Sequence, residues 1–215
     1  MKLHVQQFTF NPFQENTYVV YSDSGDAVII DPGCYERYEE EELTDFIASN
    51  NLTVHALLNT HAHIDHVLGN AFVLGNYDVD FYIHPLDVVT LNSVQNYAHV
   101  YGFPNYKVSP QPTQQLSHGE KLTFGDIEFE VLFTPGHAPG HVVFHNAENG
   151  FVINGDVLFN GSFGRVDLPG GDLETLKRSI FKVMFELPEE TVVYCGHGEK
   201  TTIQKEKAFN YILSF

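Results

Sequence analysis

Three imidazoles and one carboxylate fall within six positions of this chain, in the stretch Thr60-His61-Ala62-His63-Ile64-Asp65-His66. Neutral imidazole nitrogens and ionised carboxylate oxygens are the donors that divalent transition metals take from a protein. Alternation by two brings His61 and His63 to one side of an extended turn. Asp65 and His66 are adjacent and are expected to point in different directions. That arrangement suits two neighbouring ions better than one, with His61 and His63 for the first and Asp65 and His66 for the second. A metal-scavenging surface tract is usually of low complexity, whereas this one is flanked by the apolar runs Val54–Leu58 and Ala71–Leu74.

The elements that must position such a cluster can be read around it. Val54–Leu58 is short and apolar, a buried strand, and Ala71–Leu74 after Gly69 indicates a short helix. The cluster therefore lies on a loop at the carboxyl end of a strand, where α/β folds often place their chemistry. The unit of strand, sharp turn, then histidine or aspartate recurs. His137 stands in Thr134-Pro135-Gly136-His137-Ala138-Pro139-Gly140-His141 after the strand-like Ile127–Phe133. Asp156 follows Phe151-Val152-Ile153, and His197 follows Thr191–Tyr194. These three with the first four make seven ligands, enough for two ions sharing one bridging carboxylate. His141 opens the next apolar run and reads as a support or structural residue. Asp31, in Asp31-Pro32-Gly33, either holds a ligand histidine by a hydrogen bond or initiates a turn. His84 reads as structural.

Elsewhere, residues 3–10, 17–21 and 27–30 read as consecutive strands, and 36–50 as a helix with an acidic start. A short strand over 80–84 precedes a helix from Leu86 to about Val100 and a long loop to 118, rich in Tyr and Phe. That loop is either a binding lid or aromatic packing on the core. Leu122–Phe124 and Ile127–Phe133 form a hairpin, Leu173–Leu187 a helix, and Glu199–Leu213 a terminal helix. The glycine-rich stretch Gly161–Gly171 carries Arg165 and Asp167, and Arg165 can meet a substrate carboxylate or pair with Asp167 or Asp172.

The 215 residues suffice for one sizeable core, read as a single domain over 1–215. The formal charge of −17 repels polyanions, so nucleic acid is not an expected partner. No export signal and no apolar run of ~18 residues is present, so neither secretion nor a membrane is expected. Two cysteines, Cys34 and Cys195, are expected as reduced thiols of a cytoplasmic protein. Nothing in the composition sets the oligomeric state.

Thr60–His66, with His137, Asp156 and His197 following in order, resembles the metallo-β-lactamase superfamily over the whole chain. Asn11–Tyr18, Gly155–Phe159, Gly164–Asp172 and Gly196-His197-Gly198 are similar to its glyoxalase II-like branch, in particular to the short, single-domain bacterial hydroxyacylglutathione hydrolases. The resemblance implies an α/β (α+β) fold, a four-layer αβ/βα sandwich with metals at one edge. It implies that His61, His63 and His137 hold one ion, that Asp65, His66 and His197 hold the other, and that Asp156 bridges them. Zinc is the first expectation for the pair, with iron and manganese suited to the same ligands. The basic C-terminal region with which longer glyoxalase II enzymes grip glutathione is not expected here, and Arg165-Val166-Asp167 stands where they carry Lys-x-Tyr.

The chemistry implied is hydrolysis of a small anionic thioester by a metal-bound hydroxide. Two dications lower the pKa of a shared water towards neutrality, and Asp65 and Asp156 are the carboxylates that can orient it. A thiolate leaves without a dedicated acid. The alternative is a mononuclear iron persulfide dioxygenase, whose ligands would correspond to His61, His137 and Asp156. A nuclease is disfavoured by the charge. A flavin-partnered diiron reductase is disfavoured by His63, where that branch normally has Glu. A binding-only module would show substituted ligands, and none is substituted.

Overall fold

The computed structural model describes residues 2–215. They group into two compact units. One runs to Gln115 and takes in Thr123–Ile127; the other comprises Leu116–Leu122 and Glu128–Phe215.

The first unit is built on a six-stranded sheet whose spatial order follows the chain: β1 (Leu3–Phe10), β2 (Glu15–Ser22), β3 (Asp26–Ile30), β4 (Thr53–Leu58), β5 (Asp80–Ile83) and β6 (Gln114–Gln115). The first three strands are antiparallel, and β3 to β6 run parallel. Parallel neighbours need crossovers. These are α1 (Arg37–Ser49), then α2 (Ile64–Val67) with α3 (Asn70–Asn76), then α4 (Val88–Tyr97) and the loop behind it. Because Ile30 pairs with Leu58 and Leu58 with Tyr82, the carboxyl ends of β3, β4 and β5 share one edge of the sheet. Asp31 and Asn59 are the first residues beyond it. Ile29, Leu57 and Phe81 of the strands pack with Leu43 and Ile47 of α1, Val73 of α3 and Val94 of α4. Burial of such side chains is the main stabilising contribution, ~1.5–3 kcal/mol each.

The second unit carries the sheet β14-β13-β10-β9-β8-β7. Its strands are β7 (Lys121–Phe124), β8 (Ile127–Phe133), β9 (Val142–Asn146), β10 (Phe151–Gly155), β13 (Val192–Cys195) and β14 (Thr201–Thr202), with a side hairpin of β11 (Leu158–Phe159) and β12 (Ser162–Phe163). The parallel pair β10 and β13 is bridged by α5 (Leu173–Lys182), and α6 (Ile203–Phe209) follows β14. Val143, Val152 and Val193 of the sheet pack with Leu176 and Ile180 of α5 and Ile203 of α6.

Several elements differ from the sequence reading. The single terminal helix over 199–213 is instead β14, α6 and a 3-10 turn, Tyr211–Ser214. Asn210 breaks it: its amide donates to the Ser162 carbonyl at 2.7 Å and to Glu206 at 2.6 Å, while its oxygen accepts from Ile212 N. The helix over 173–187 ends at Lys182 and continues as the 3-10 turn Met184–Glu186, and that over 86–100 shortens to α4 after the 3-10 turn Pro85–Asp87. Ile64–Val67 is helical, so Asp65 and His66 sit on a helix turn and not on open loop. Cys34 and Cys195 are both buried; burial pushes the Cys195 thiol up to about 12. No helix among the described residues is long and apolar enough to cross a membrane.

Candidate metal centre

In the first unit, the turn directly after β4 is held by Asp31. This residue is buried, has a left-handed backbone (φ 48°), and accepts from Thr60 N at 2.7 Å, Asn59 Nδ2 at 3.2 Å and the Thr60 hydroxyl at 2.5 Å. Its Oδ2 also accepts from His66 Nδ1 at 3.2 Å. The Thr60 oxygen, having given its proton to Asp31, accepts from His61 Nδ1 at 3.0 Å. In both rings Nδ1 is thereby the protonated nitrogen, and Nε2 carries the lone pair that a metal requires. Asp31, His61 and His66 offer atoms within 4.8 Å of one another. The carboxylate oxygens of Asp31 accept from four donors, two of them the Thr60 hydroxyl that contacts His61 and the His66 ring itself.

The His61 ring stands edge-on to His63 at 4.8 Å and 4.2 Å from His66. Contrary to the sequence reading, Asp65 and His66 converge at their tips: Asp65 Oδ2 is 3.7 Å from His66 Nε2. Side-chain length overcomes the turn of the helix between them. Asp87 is buried and accepts from Ala62 N at 2.8 Å, which pins the backbone between His61 and His63. Asn11 Nδ2 donates to the carbonyls of Gly33 and Asp65. Glu15, fully buried, lies 3.7 Å from His66 Nδ1. Burial holds its carboxyl well above the usual carboxylate range, against the pull of His66. Sequence reasoning missed Glu15 and Asp87 because neither spacing nor neighbours mark a carboxylate that the fold will bury. His84 accepts from Leu86 N at 3.3 Å and caps the turn after β5, the structural place expected of it.

In the second unit, the turn after β8 depends on Gly136. It has φ 128°, and a Cβ there would run into the backbone of Leu176. Its carbonyl accepts from Asp172 N at 2.8 Å, fixing the start of α5 against this turn. His137 Nδ1 donates to the Arg165 carbonyl at 2.7 Å, again leaving Nε2 as the lone-pair nitrogen. Asp156 is held through its own N–H, which donates to His141 Nε2 at 3.1 Å. His141 thus supports Asp156, as its place at the start of β9 suggested. A Cβ on Gly164 would collide with the Asp156 carbonyl oxygen, so this loop approaches as closely as only glycine allows. Asp156 Oδ2 lies 3.4 Å from His137 Nε2 and 3.5 Å from His197 Nε2. Phe159 stands edge-on to the His197 ring at 5.9 Å.

Those two distances are longer than the usual N–H···O range of about 2.7–3.2 Å. They match two donors on one ion: bonds of ~2.0–2.1 Å at a tetrahedral angle separate the donor atoms by ~3.3–3.5 Å. One carboxylate oxygen meeting that condition with two histidines at once is an arrangement that can bridge two ions. The donor set of imidazole and carboxylate fits zinc, iron or manganese.

Arg165 is exposed, and its guanidinium makes a two-pronged pair with Asp167, Nε to Oδ1 at 2.7 Å and Nη2 to Oδ2 at 2.8 Å. That hydrogen-bonded partner holds the Asp167 carboxyl down at about 2.

The family model described as the metallo-beta-lactamase superfamily matches residues 10–197. The hydroxyacylglutathione hydrolase GloC of Haemophilus influenzae is 34% identical over 213 residues, covering 99% of this chain and 99% of its own. Among solved structures, the B3 metallo-beta-lactamase BLEG-1 superposes with a TM-score of 0.89 at 35% identity, over 99% of this chain and 100% of its own. TTHA1623, solved in a di-iron-bound form, superposes with a TM-score of 0.86 at 40% identity, over 96% and 99%.

Proposed function

We propose that this chain, which belongs to the metallo-beta-lactamase superfamily and has its fold, is a metallo-hydrolase whose scissile bond is a small-molecule thioester. In this reading the two units act together as one domain. His61, His63 and His137 hold one ion, Asp65, His66 and His197 the other, and Asp156 is shared. The observation that carries it is the single Asp156 oxygen at ligand–ligand distance from both His137 and His197. The di-iron form of TTHA1623 supports a pair of ions, with iron as well as zinc suited to the site.

When bound, such ions supply a hydroxide at neutral pH and an electrophile for a carbonyl oxygen. The rest falls to the chain. Asp65 and Asp156 orient the attacking water by accepting its proton in a hydrogen bond. Asp31, Thr60 and the Arg165 carbonyl keep His66, His61 and His137 in the tautomer that binds metal. The leaving thiol is a far stronger acid than an amine, so its departure needs no protein acid. The likeness to GloC supports a thioester over an amide. Arg165, whose carbonyl holds His137, supplies on leaving Asp167 a cation for an anionic substrate of a strongly acidic protein.

Protein purified without chelator, then reconstituted with excess zinc or iron and desalted, tests this reading. Two ions per chain, thioester hydrolysis without oxygen uptake, and no cleavage of a chromogenic cephalosporin are expected. Saturation at one iron with oxygen uptake on glutathione persulfide would replace it by the dioxygenase reading.

A further inference from the structure

The segment behind α4 is anchored in the core of the first unit. Phe103 is buried, the N–H groups of Tyr101 and Phe103 both donate to the Ala98 carbonyl at 3.1 and 3.0 Å, and Asn105 N donates to the Tyr35 hydroxyl at 3.0 Å. On this base the rings run outward in contact. Phe103 meets Phe13 at 5.8 Å, Phe13 meets Tyr101 at 6.2 Å, and Tyr101 meets Tyr97 at 5.5 Å. Phe13 is 40% and Tyr101 50% exposed.

Two independent ties bring this strip to Asp65. The turn that carries Phe13 is clamped by Asn11, whose Nδ2 donates to the Asp65 carbonyl at 3.1 Å and whose Oδ1 accepts from Phe13 N at 3.0 Å. Helix α4, which carries Tyr97, packs on α2, which carries Asp65. The strip itself is uncharged. Lys107 is engaged by Glu40 at 3.4 Å, and Asp87 is buried on Ala62.

We infer that Phe13, Tyr97 and Tyr101 form a wall beside Asp65 that receives an uncharged apolar substituent of the substrate, aryl or branched alkyl. The inference rests on the reading of Asp65 as a metal ligand of a thioesterase. Stacked and edge-on rings favour such a group beyond its buried area alone, and the wall offers no cation to a carboxylate. The substituent can sit on the acyl or on the thiol side of the bond.

Two thioester series on the metal-loaded enzyme separate these sources: acetyl against phenylacetyl on a fixed thiol, and ethyl against benzyl thiol on a fixed acyl group. One series shows an aryl preference of about ten-fold or more in kcat/KM, expressed in KM, as for a pocket that fits an added apolar group. The double variant Phe13→Ala/Tyr101→Ala reduces that preference about ten-fold. Phe209→Ala, an exposed aromatic of α6, does not change it. Calorimetry with a benzyl-bearing, non-hydrolysable thioether shows the same weakening in the double variant at unchanged metal content. The single variant Tyr101→Ser, with an unchanged thermal midpoint, repeats the result if the double variant is unstable. An aryl preference absent from both series, or surviving in the double variant, overturns the wall. If no thioester is cleaved while thioether binding still depends on Phe13 and Tyr101, the wall stands and the thioesterase reading falls.

Discussion

Nδ1 of His137 donates to the main-chain carbonyl of Arg165 at 2.7 Å, while the guanidinium of Arg165 is turned to Asp167. One residue thus holds the candidate ligand His137 with its backbone and keeps a cation in reserve with its side chain. Because the first role needs no side chain, the two can be separated by mutation.

Arg165→Ala is accordingly expected to keep its metal. It should raise KM for anionic thioesters, lowering kcat/KM about ten- to a hundred-fold, as for loss of a hydrogen bond to a charged group. Neutral thioesters should be cleaved about equally well by both forms. An equal loss on both substrate classes would assign Arg165 to loop support alone.

Asp156→Asn removes charge from the oxygen that faces both His137 and His197. Metal content should fall, and thioester hydrolysis should drop by at least ~100-fold, as loss of a direct metal ligand commonly does. Elemental analysis and a steady-state assay on one preparation check both. Full activity with two bound ions would take Asp156 out of the centre.

Asp31→Asn keeps the shape of a side chain that serves Thr60, Asn59 and His66, but presents an amide where the acceptor of those donors stood. A metal affinity ~10–100-fold weaker is expected from loss of a supporting hydrogen bond to a ligand histidine. The metal-free protein should also be destabilised, because buried donors lose their partner. Competition with a chromophoric chelator reads the first effect, and urea unfolding of the apo form the second. Wild-type values in both would leave Asp31 a turn residue only.

The Asp26 carboxyl lies below its ordinary value, chiefly because His55 hydrogen-bonds to it at 2.7 Å, with Asp126 N and the Ser24 hydroxyl adding to the effect. A depressed carboxyl holds its proton less tightly folded than unfolded. Its contribution to stability is therefore complete above about pH 4 and is lost as the pH falls through the depressed folded value. In chelator-treated protein, the gap in urea midpoint between wild type and Asp26→Asn at pH 7 should narrow as the pH falls below about 4 and through the depressed folded value. A gap independent of pH would assign the effect to packing.

The sequence by itself picked out the candidate donors, because metal chemistry admits few side-chain types and Gly and Pro mark the turns that follow strands. His61, His137, Asp156 and His197 all stand just beyond strand ends in the structure, and the alternating or short apolar runs that became β1 to β4 and β8 to β10 were legible from local pattern alone. Only the tertiary structure decided what surrounds those donors. The nitrogen each histidine presents depends on partners such as Asp31, 35 positions before His66, and Arg165, 28 positions after His137. The burial of Glu15, the bend at Asn210 and the convergence of Asp65 with His66 depend likewise on contacts the local sequence does not encode. Periodicity reports which face of an element is apolar; it carries no record of the distant carbonyl or carboxylate that the fold sets against a ring.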